Sequence, residues 1–413
     1  MGDFVISESS NGCVDTPGFK AAGVHCDVRG KSDDRLDLAL VLSDTPCTVA
    51  GVFTRNRMAA APVRLDRELI EQGKLARGFV ANSGNANACT GHGGMTDAID
   101  MQEATAIACG CDPQEIFICS TGRIGKRLPM PGILDGIQAA AAGASSVAAD
   151  GLNAADAILT SDTRRKVCSI EVKTASGTVH LSGMAKGAGM IEPNMATMLG
   201  FICTDAVVKG PDLQAALGKA VAGSFNAITV DGDESTNDTV LVFANGVSGI
   251  EMNPQSPDWD TFQSALGAIC EDLARKIVGD GEKITKVVEI RIEGAVDDAQ
   301  AKLAARAIGN SLLVKSSWYG NDPNWGRVMD AVGYSGADLE EESVQMWYAD
   351  DQGSLQVPAF RKSVVHEENL EQWKQIVAAD KFRIIVDLGK GTGASRIWST
   401  DLTEGYVDFN KSE

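Results

Sequence analysis

The stretch Lys186 to Phe201, KGAGMIEPNMATMLGF, constrains the fold more than any other, because the chain must turn sharply there and then enter the interior at once. Gly187 and Gly189 permit backbone conformations closed to other residues. Pro193 fixes its own φ and biases Glu192 toward extended geometry. From Thr197 the run TMLGFICTDA reads as a buried strand. The plain reading is a conformationally demanding turn that feeds a strand.

The rest of the chain alternates helices and strands around many glycine turns. Phe262, Leu266, Ile269, Leu273 and Ile277 recur at helical spacing, whereas Val288, Ile290 and Ile292 alternate with Glu289 and Arg291 as in a half-buried strand. Residues 168–183, CSIEVKTASGTVHLSG, read as a hairpin turning at Ala175 to Gly177. FRIIVDLGKGTGASRIWSTDL near the end reads as another pair of strands around a glycine turn, and the alanine-rich 139–149 as a helix end and loop. Strands that follow one another directly, with helices in groups, favour sheet packed on sheet with helices outside, an α+β layered fold rather than a doubly wound one.

With 413 residues and 44% hydrophobic side chains, a substantial core is expected, in two or three domains or one intertwined unit. A formal charge of -19 argues against nucleic-acid or anionic-membrane partners and for small molecules. The opening MGDFVISESSNG has no basic start followed by an apolar run, and no stretch approaches the roughly eighteen apolar residues of a membrane span, so the cytoplasm is the expected location. Ten cysteines scattered from Cys13 to Cys270 are expected to be free thiols. Cys109 and Cys111 lack zinc-knuckle spacing, and His25, His92, His180 and His366 lie far apart, so no metal is expected and a catalytic base is not histidine. DGDESTND (231–238) starts like a calcium loop but has Thr236 where the turn glycine belongs and Val242 where the glutamate belongs. GDGEKIT (279–285) and GKGTGAS (389–395) miss the phosphate-loop spacing and read as turns.

An enzyme without a histidine base needs another, and the central stretch offers one. Cleavage after Ala196 would free Thr197, whose hydroxyl then has its own α-amine as general base. Such an amine titrates at about 7.7–8.0, close to working pH.

At these residues the chain resembles the ornithine acetyltransferases, the glutamate N-acetyltransferase enzymes of the cyclic arginine pathway. GAGMIEPNMATML is similar to their autocleaved threonine motif. The resemblance continues in order through GVFTRNR (51–57), NSGNANACTG (82–91), CSTGRIG (119–125), ILTSDT (158–163), ITVDGDESTND (228–238), DPNWGRV (322–328) and DLTEGYV (401–407). It implies an αββα sandwich of the N-terminal-nucleophile kind, cut into an α chain 1–196 and a β chain 197–413. These are expected to form one intertwined catalytic unit whose second half carries a smaller C-terminal lobe. It implies Thr197 as nucleophile, Thr121 and Gly122 as the oxyanion-hole pair, and substrate contacts at Thr160, Lys186, Thr197, Glu282 and Asn410. A threonine hydroxyl beside a glycine amide is a sensible pair of donors for a developing oxyanion. Glu282 suits an ornithine ammonium and Lys186 an α-carboxylate. The implied reaction carries acetyl from N2-acetylornithine to glutamate through acetyl-threonine, without cofactor. Some members also take acetyl-CoA as co-substrate, and the family suggests a heterotetramer of two α and two β chains.

Three departures bear on the substrate. Lys283 and Ile284 follow Glu282 where the family usually has small residues, an expected change at the pocket edge. Arg123 and Lys126 add positive charge after the oxyanion motif. The closing NKSE has no threonine beyond Asn410, leaving Ser412 as the nearest hydroxyl. Two other readings stay open: an N-terminal-threonine amidohydrolase or aminopeptidase in which water takes the acyl group, and a silent homologue that keeps the fold uncut.

Overall fold

The computed structural model describes all residues except 1–3, 8, 32, 193–197 and 412–413. The expected nucleophile Thr197, the break after Ala196 and the tail residue Ser412 therefore lie outside the described residues. Contacts divide the chain into two units, Met1–Asn226 with Asp233–Ile277, and Ala227–Gly232 with Val278–Glu413.

The first unit runs β1 Phe4–Ile6, β2 Phe19–Val24, β3 Leu38–Phe53, α1 Ala61–Glu71, β4 Ala76–Asn85, α2 Gly91–Cys109, β5 Ile116–Arg123, α3 Met130–Gly143 and α4 Ala148–Ala157. It continues with β6 Lys166–Thr174, β7 Gly177–Lys186, β8 Leu199–Thr204, β9 Val207–Val208, α5 Gly210–Ala222, β10 Thr239–Ala244, β11 Glu251–Met252 and α6 Trp259–Val278. Among the described residues the main strands lie in the order β1-β6-β7-β8-β10-β3-β4-β5, with β2 also on β3. β3 is the hinge of this arrangement. Its first half, Leu38–Ser43, pairs with β2 and β4, and its second half, Thr48–Phe53, pairs with β10. The register shifts between Leu42 and Cys47, where Pro46 has no N–H to give, so the strand leaves one sheet and enters another.

The two sheets pack face to face. Phe79 of β4 stacks on Phe201 of β8 with centroids 3.8 Å apart and lies 5.5 Å from Phe243 of β10, and Phe117 of β5 meets Phe243 edge-on. Alternation then sends Val80, Ile116 and Ile118 to the opposite side, against Met101 of α2 and Ile133 and Ile137 of α3. On the outside of the other sheet, the Gln214 amide of α5 both donates to and accepts from the backbone of Gly51. Lys276 of α6 donates to the Val167 carbonyl of β6. The layers are thus helix, sheet, sheet, helix, as expected.

Local expectations hold. β6 and β7 form the hairpin with Thr174 opposite Gly177, α6 buries Phe262, Leu266, Ile269, Leu273 and Ile277, and β8 is buried along its length. α3 ends at Gly143, inside the alanine-rich segment.

The second unit contains β12 Val287–Ala295, α7 Asp298–Asn310, α8 Leu312–Tyr319, α9 Trp325–Gly333, β13 Gln345–Asp350, β14 Gln356–Arg361, β15 Val364–Val365, α10 Leu370–Val377, β16 Lys381–Asp387, β17 Gly393–Thr400 and α11 Glu404–Asn410. Its sheet has the order β15-β14-β13-β16-β12-β17. The pair expected near the end exists as strands but not as partners. β12 lies between β16 and β17, parallel to the first and antiparallel to the second, so the glycine turn spans a strand. Ala301, Ala304, Ala305 and Ile308 bury one face of α7, where Gly309 allows close approach to Ile397 of β17.

Because Phe79 touches both sheets, Phe79→Ala is expected to lower stability by about 3–5 kcal/mol, read from urea unfolding; a loss below about 1 kcal/mol would mean the sheets do not depend on this contact.

Candidate functional site

Thr121 and Gly122 end strand β5, beside the end of β4. The parallel ladder pairs Ser83 with Thr121 and Gly84 with Gly122, then shifts so that Asn85 faces both Thr121 and Arg123. Both glycines are obligatory. Gly122 has φ +132°, and a Cβ there would stand 2.3 Å from the Gly84 carbonyl carbon; one on Gly84, at φ +101°, would reach within 2.5 Å of Arg29 Cγ. The motifs NSGNAN and STG are therefore one structural feature. Side chains fix it from behind: Ser120 Oγ donates to Asn82 Oδ1 at 2.6 Å, and Asn237 Nδ2 donates to the carbonyls of Ser120 and Ala86. Buried Asp66 of α1 accepts from the Ile118 N–H at 2.9 Å. The ladder holds Thr121 half-buried and leaves Gly122 exposed at the strand end. Arg123 and Lys126 are exposed.

Thr160 and Lys186 meet around a carboxylate that the sequence reading did not single out. Lys186 Nζ donates to Thr160 Oγ1 at 2.8 Å and lies 3.7 Å from Asp162 Oδ2. Asp162 has no exposed side-chain surface; it accepts from fully buried Lys166 Nζ and from the Gly187 N–H, each at 2.7 Å, and from the Thr160 N–H. Burial alone pushes its carboxyl up, but Lys186 and Lys166 together with these hydrogen bonds hold it well below the ordinary carboxylate range. One carboxylate thus fixes the lysine at the end of β7, the threonine after α4 and the first glycine of the loop. Arg29 Nη2 donates to the Leu159 carbonyl at 2.9 Å while its stem lies against Gly84, which links this cluster to the β4–β5 end. The signal available was the four-residue spacing of Asp162 and Lys166, which reads as a surface pair until both are seen buried.

In the second unit, Asn410 Nδ2 donates to Glu282 Oε2 at 3.4 Å. The loop carrying Glu282 is clasped by the DLTEGYV segment. Asp401 accepts from the N–H groups of Thr285 and Lys286 and from the Thr285 hydroxyl, and Thr403 Oγ1 donates to the Lys283 carbonyl at 2.8 Å. Tyr406 reaches Asp231. Lys283, in the left-handed region at φ 55°, extends its ammonium over the Phe409 ring at 5.4 Å. The structure thus pairs Thr160 with Lys186, Glu282 with Asn410, and Thr121 with Gly122. Thr197 and Ala196 stay outside the described residues, between Glu192 and Met198.

The ArgJ family model matches residues 20–412. The chain is 44% identical to the arginine biosynthesis bifunctional protein ArgJ of Symbiobacterium thermophilum over 404 residues, 98% of each chain. The protein of that name from Bacillus subtilis is 39% identical over 403 residues, 97% of this chain and 96% of the relative. Among solved structures, ornithine acetyltransferase from Mycobacterium tuberculosis complexed with ornithine is 36% identical, covering 47% of this chain and all of that one, with TM-score 0.44.

Replacing Asp162 by Asn leaves two lysines without their shared counter-charge, an expected loss of about 3–5 kcal/mol at pH 7. Because the folded carboxyl lies below the roughly 3.9 of an unfolded chain, its contribution is complete above that pH and fades below it. The gap between parent and variant should be level from pH 8 to 5 and narrow below about pH 4 in unfolding experiments; a gap that widens with acid would refute the assignment.

Proposed function

The chain belongs to the ArgJ family, and on that premise we propose that it is a self-cleaving acyltransferase of arginine biosynthesis that moves acetyl from N2-acetylornithine to glutamate. The observation that carries this is Lys186, a cation fixed by Thr160 and Asp162 at the mouth of the glycine loop that precedes Thr197.

The chain first breaks between Ala196 and Thr197. Thr197 Oγ then attacks the acetyl carbonyl carbon as its hydroxyl proton passes to its own α-amine. Negative charge developing on the carbonyl oxygen is met by the Thr121 hydroxyl and Gly122 N–H, a reading supported by their place at the end of the β4–β5 ladder. The C–N bond breaks, ornithine leaves with the proton returned by the α-ammonium, and acetyl remains on Thr197. The glutamate amine attacks this ester, releasing N-acetylglutamate and restoring the hydroxyl. Lys186 is suited to a substrate carboxylate, and Glu282, oriented by Asn410, to the ornithine ammonium. No cofactor is required; acetyl-CoA is a candidate alternative donor. We place the enzyme in the cytoplasm, consistent with ten free cysteines, and assign it two α and two β chains.

Denatured masses provide the first test: two fragments meeting at Ala196–Thr197 in the parent and one chain in Thr197→Ala. Initial rates with both substrates varied should give parallel double-reciprocal lines, and ornithine release should depend on glutamate. Intersecting lines would overturn the relay, and ornithine release without glutamate would make the protein a hydrolase.

A further inference from the structure

Ser83, near the end of β4, carries a hydroxyl that the fold leaves unanswered. The residue has no exposed surface, and its Oγ is buried with no hydrogen-bond partner among the described residues. Its backbone is pinned on both edges. The Ser83 N–H donates to the Asp37 carbonyl at 2.9 Å, and the parallel ladder with β5 holds the other side. Asp37 is anchored in turn, since its carboxylate accepts from the N–H groups of Cys26 and Val28. The side chain, not the strand, is therefore what can move.

The register fixes where that side chain reaches. Phe79, Ala81, Phe117 and Cys119 belong to the core cluster between the two sheets, whereas Val80, Ile116 and Ile118 belong to the cluster under α2 and α3. Period-two alternation extends both sets along β4 and β5. Asn82 and Ser120 fall on the helix side, where their 2.6 Å hydrogen bond joins them, and Ser83 and Thr121 fall on the face between the sheets. These last two are direct ladder partners, ahead of the register shift at Gly84. Neighbouring strands lie about 4.8 Å apart, so two hydroxyls on same-face partners come within hydrogen-bond reach when one side chain turns to another staggered rotamer.

A buried hydroxyl without a partner lowers stability and asks for an explanation. The role of Thr121 supplies one. As Thr121 directs its proton at a developing oxyanion, its own oxygen becomes a stronger acceptor, because hydrogen bonds in a chain polarise one another. The donor on the adjacent strand is Ser83.

We infer that Ser83 is a positioning residue for the oxyanion-hole threonine: its hydroxyl turns to donate to Thr121 Oγ1, and so holds Thr121 in the rotamer that aims its proton at the substrate oxygen. This rests on the functional reading above. No covalent bond changes, and each hydroxyl keeps its proton. A contact that forms as charge develops acts on kcat rather than on substrate binding.

The test is a cycle of Ser83→Ala, Thr121→Val and the double variant, with kcat and KM for acetyl transfer and the urea midpoint of unfolding measured for each. Ser83→Ala should lower kcat about tenfold, the worth of one ordinary hydrogen bond, with KM unchanged. Its urea midpoint should equal or exceed the parent's, because the substitution removes an unsatisfied buried group. Thr121→Val should lower kcat by about 100-fold or more, and adding Ser83→Ala to it should lower kcat no further. An unchanged kcat in Ser83→Ala beside an impaired Thr121→Val overturns the inference and leaves the proposed function standing. So does a fall in kcat that accompanies a lower urea midpoint, or one that persists in full on the Thr121→Val background. A parent that transfers no acetyl, or a Thr121→Val variant as active as the parent, overturns the oxyanion reading and this inference with it.

Discussion

Two apolar sheets can lie face to face only if the chain crosses between them without exposing backbone polar groups to an apolar interior, and β3 is the crossing. Its sixteen residues keep hydrogen-bond partners on both halves, and its bend falls at an exposed Asp44-Thr45-Pro46. β4 and β10, its neighbours in the two sheets, carry Gly84 and, just ahead of Thr239, Asp238.

The side chains around the site are themselves held by buried polar groups, each answered locally. Asp66 takes a β5 amide, Asn237 takes two carbonyls from neighbouring segments, and Asp162 takes two ammonium groups and two amides. Such groups are expensive to bury and strongly directional once satisfied, so they fix donors more narrowly than apolar packing does.

Features with a local period were legible in the sequence. The hairpin around Ala175, helix α6 and strand β12 each announce themselves within a dozen residues, because their burial pattern repeats along the chain. The pairing of β16 and β17 was not, since inserting β12 between them depends on contacts about a hundred residues away. The candidate residues Thr121, Gly122, Thr160, Lys186, Glu282 and Asn410 came from the order of motifs and a family resemblance, not from periodicity. Asp162 and Asp238 escaped because a carboxylate in a polar motif looks like surface until distant strands enclose it. Lys283, expected at a pocket edge, rests on Phe409, a contact made across more than a hundred residues of chain.

The strand order carries a consequence for a chain broken after Ala196. Reading across the sheet, β7 comes before the break, β8 and β10 come after it, and β3 comes before it again. The two polypeptides would be interleaved like the fingers of clasped hands, with a ladder of the second fragment bounded on each side by a ladder of the first. Severing one covalent bond would not set either piece free: parting them requires unzipping both borders and opening the aromatic layer at Phe79, Phe201 and Phe243. Folding would be unimolecular before the cut and bimolecular after it, so a molecule that unfolds late in life would have to find its other half at whatever concentration the cell provides.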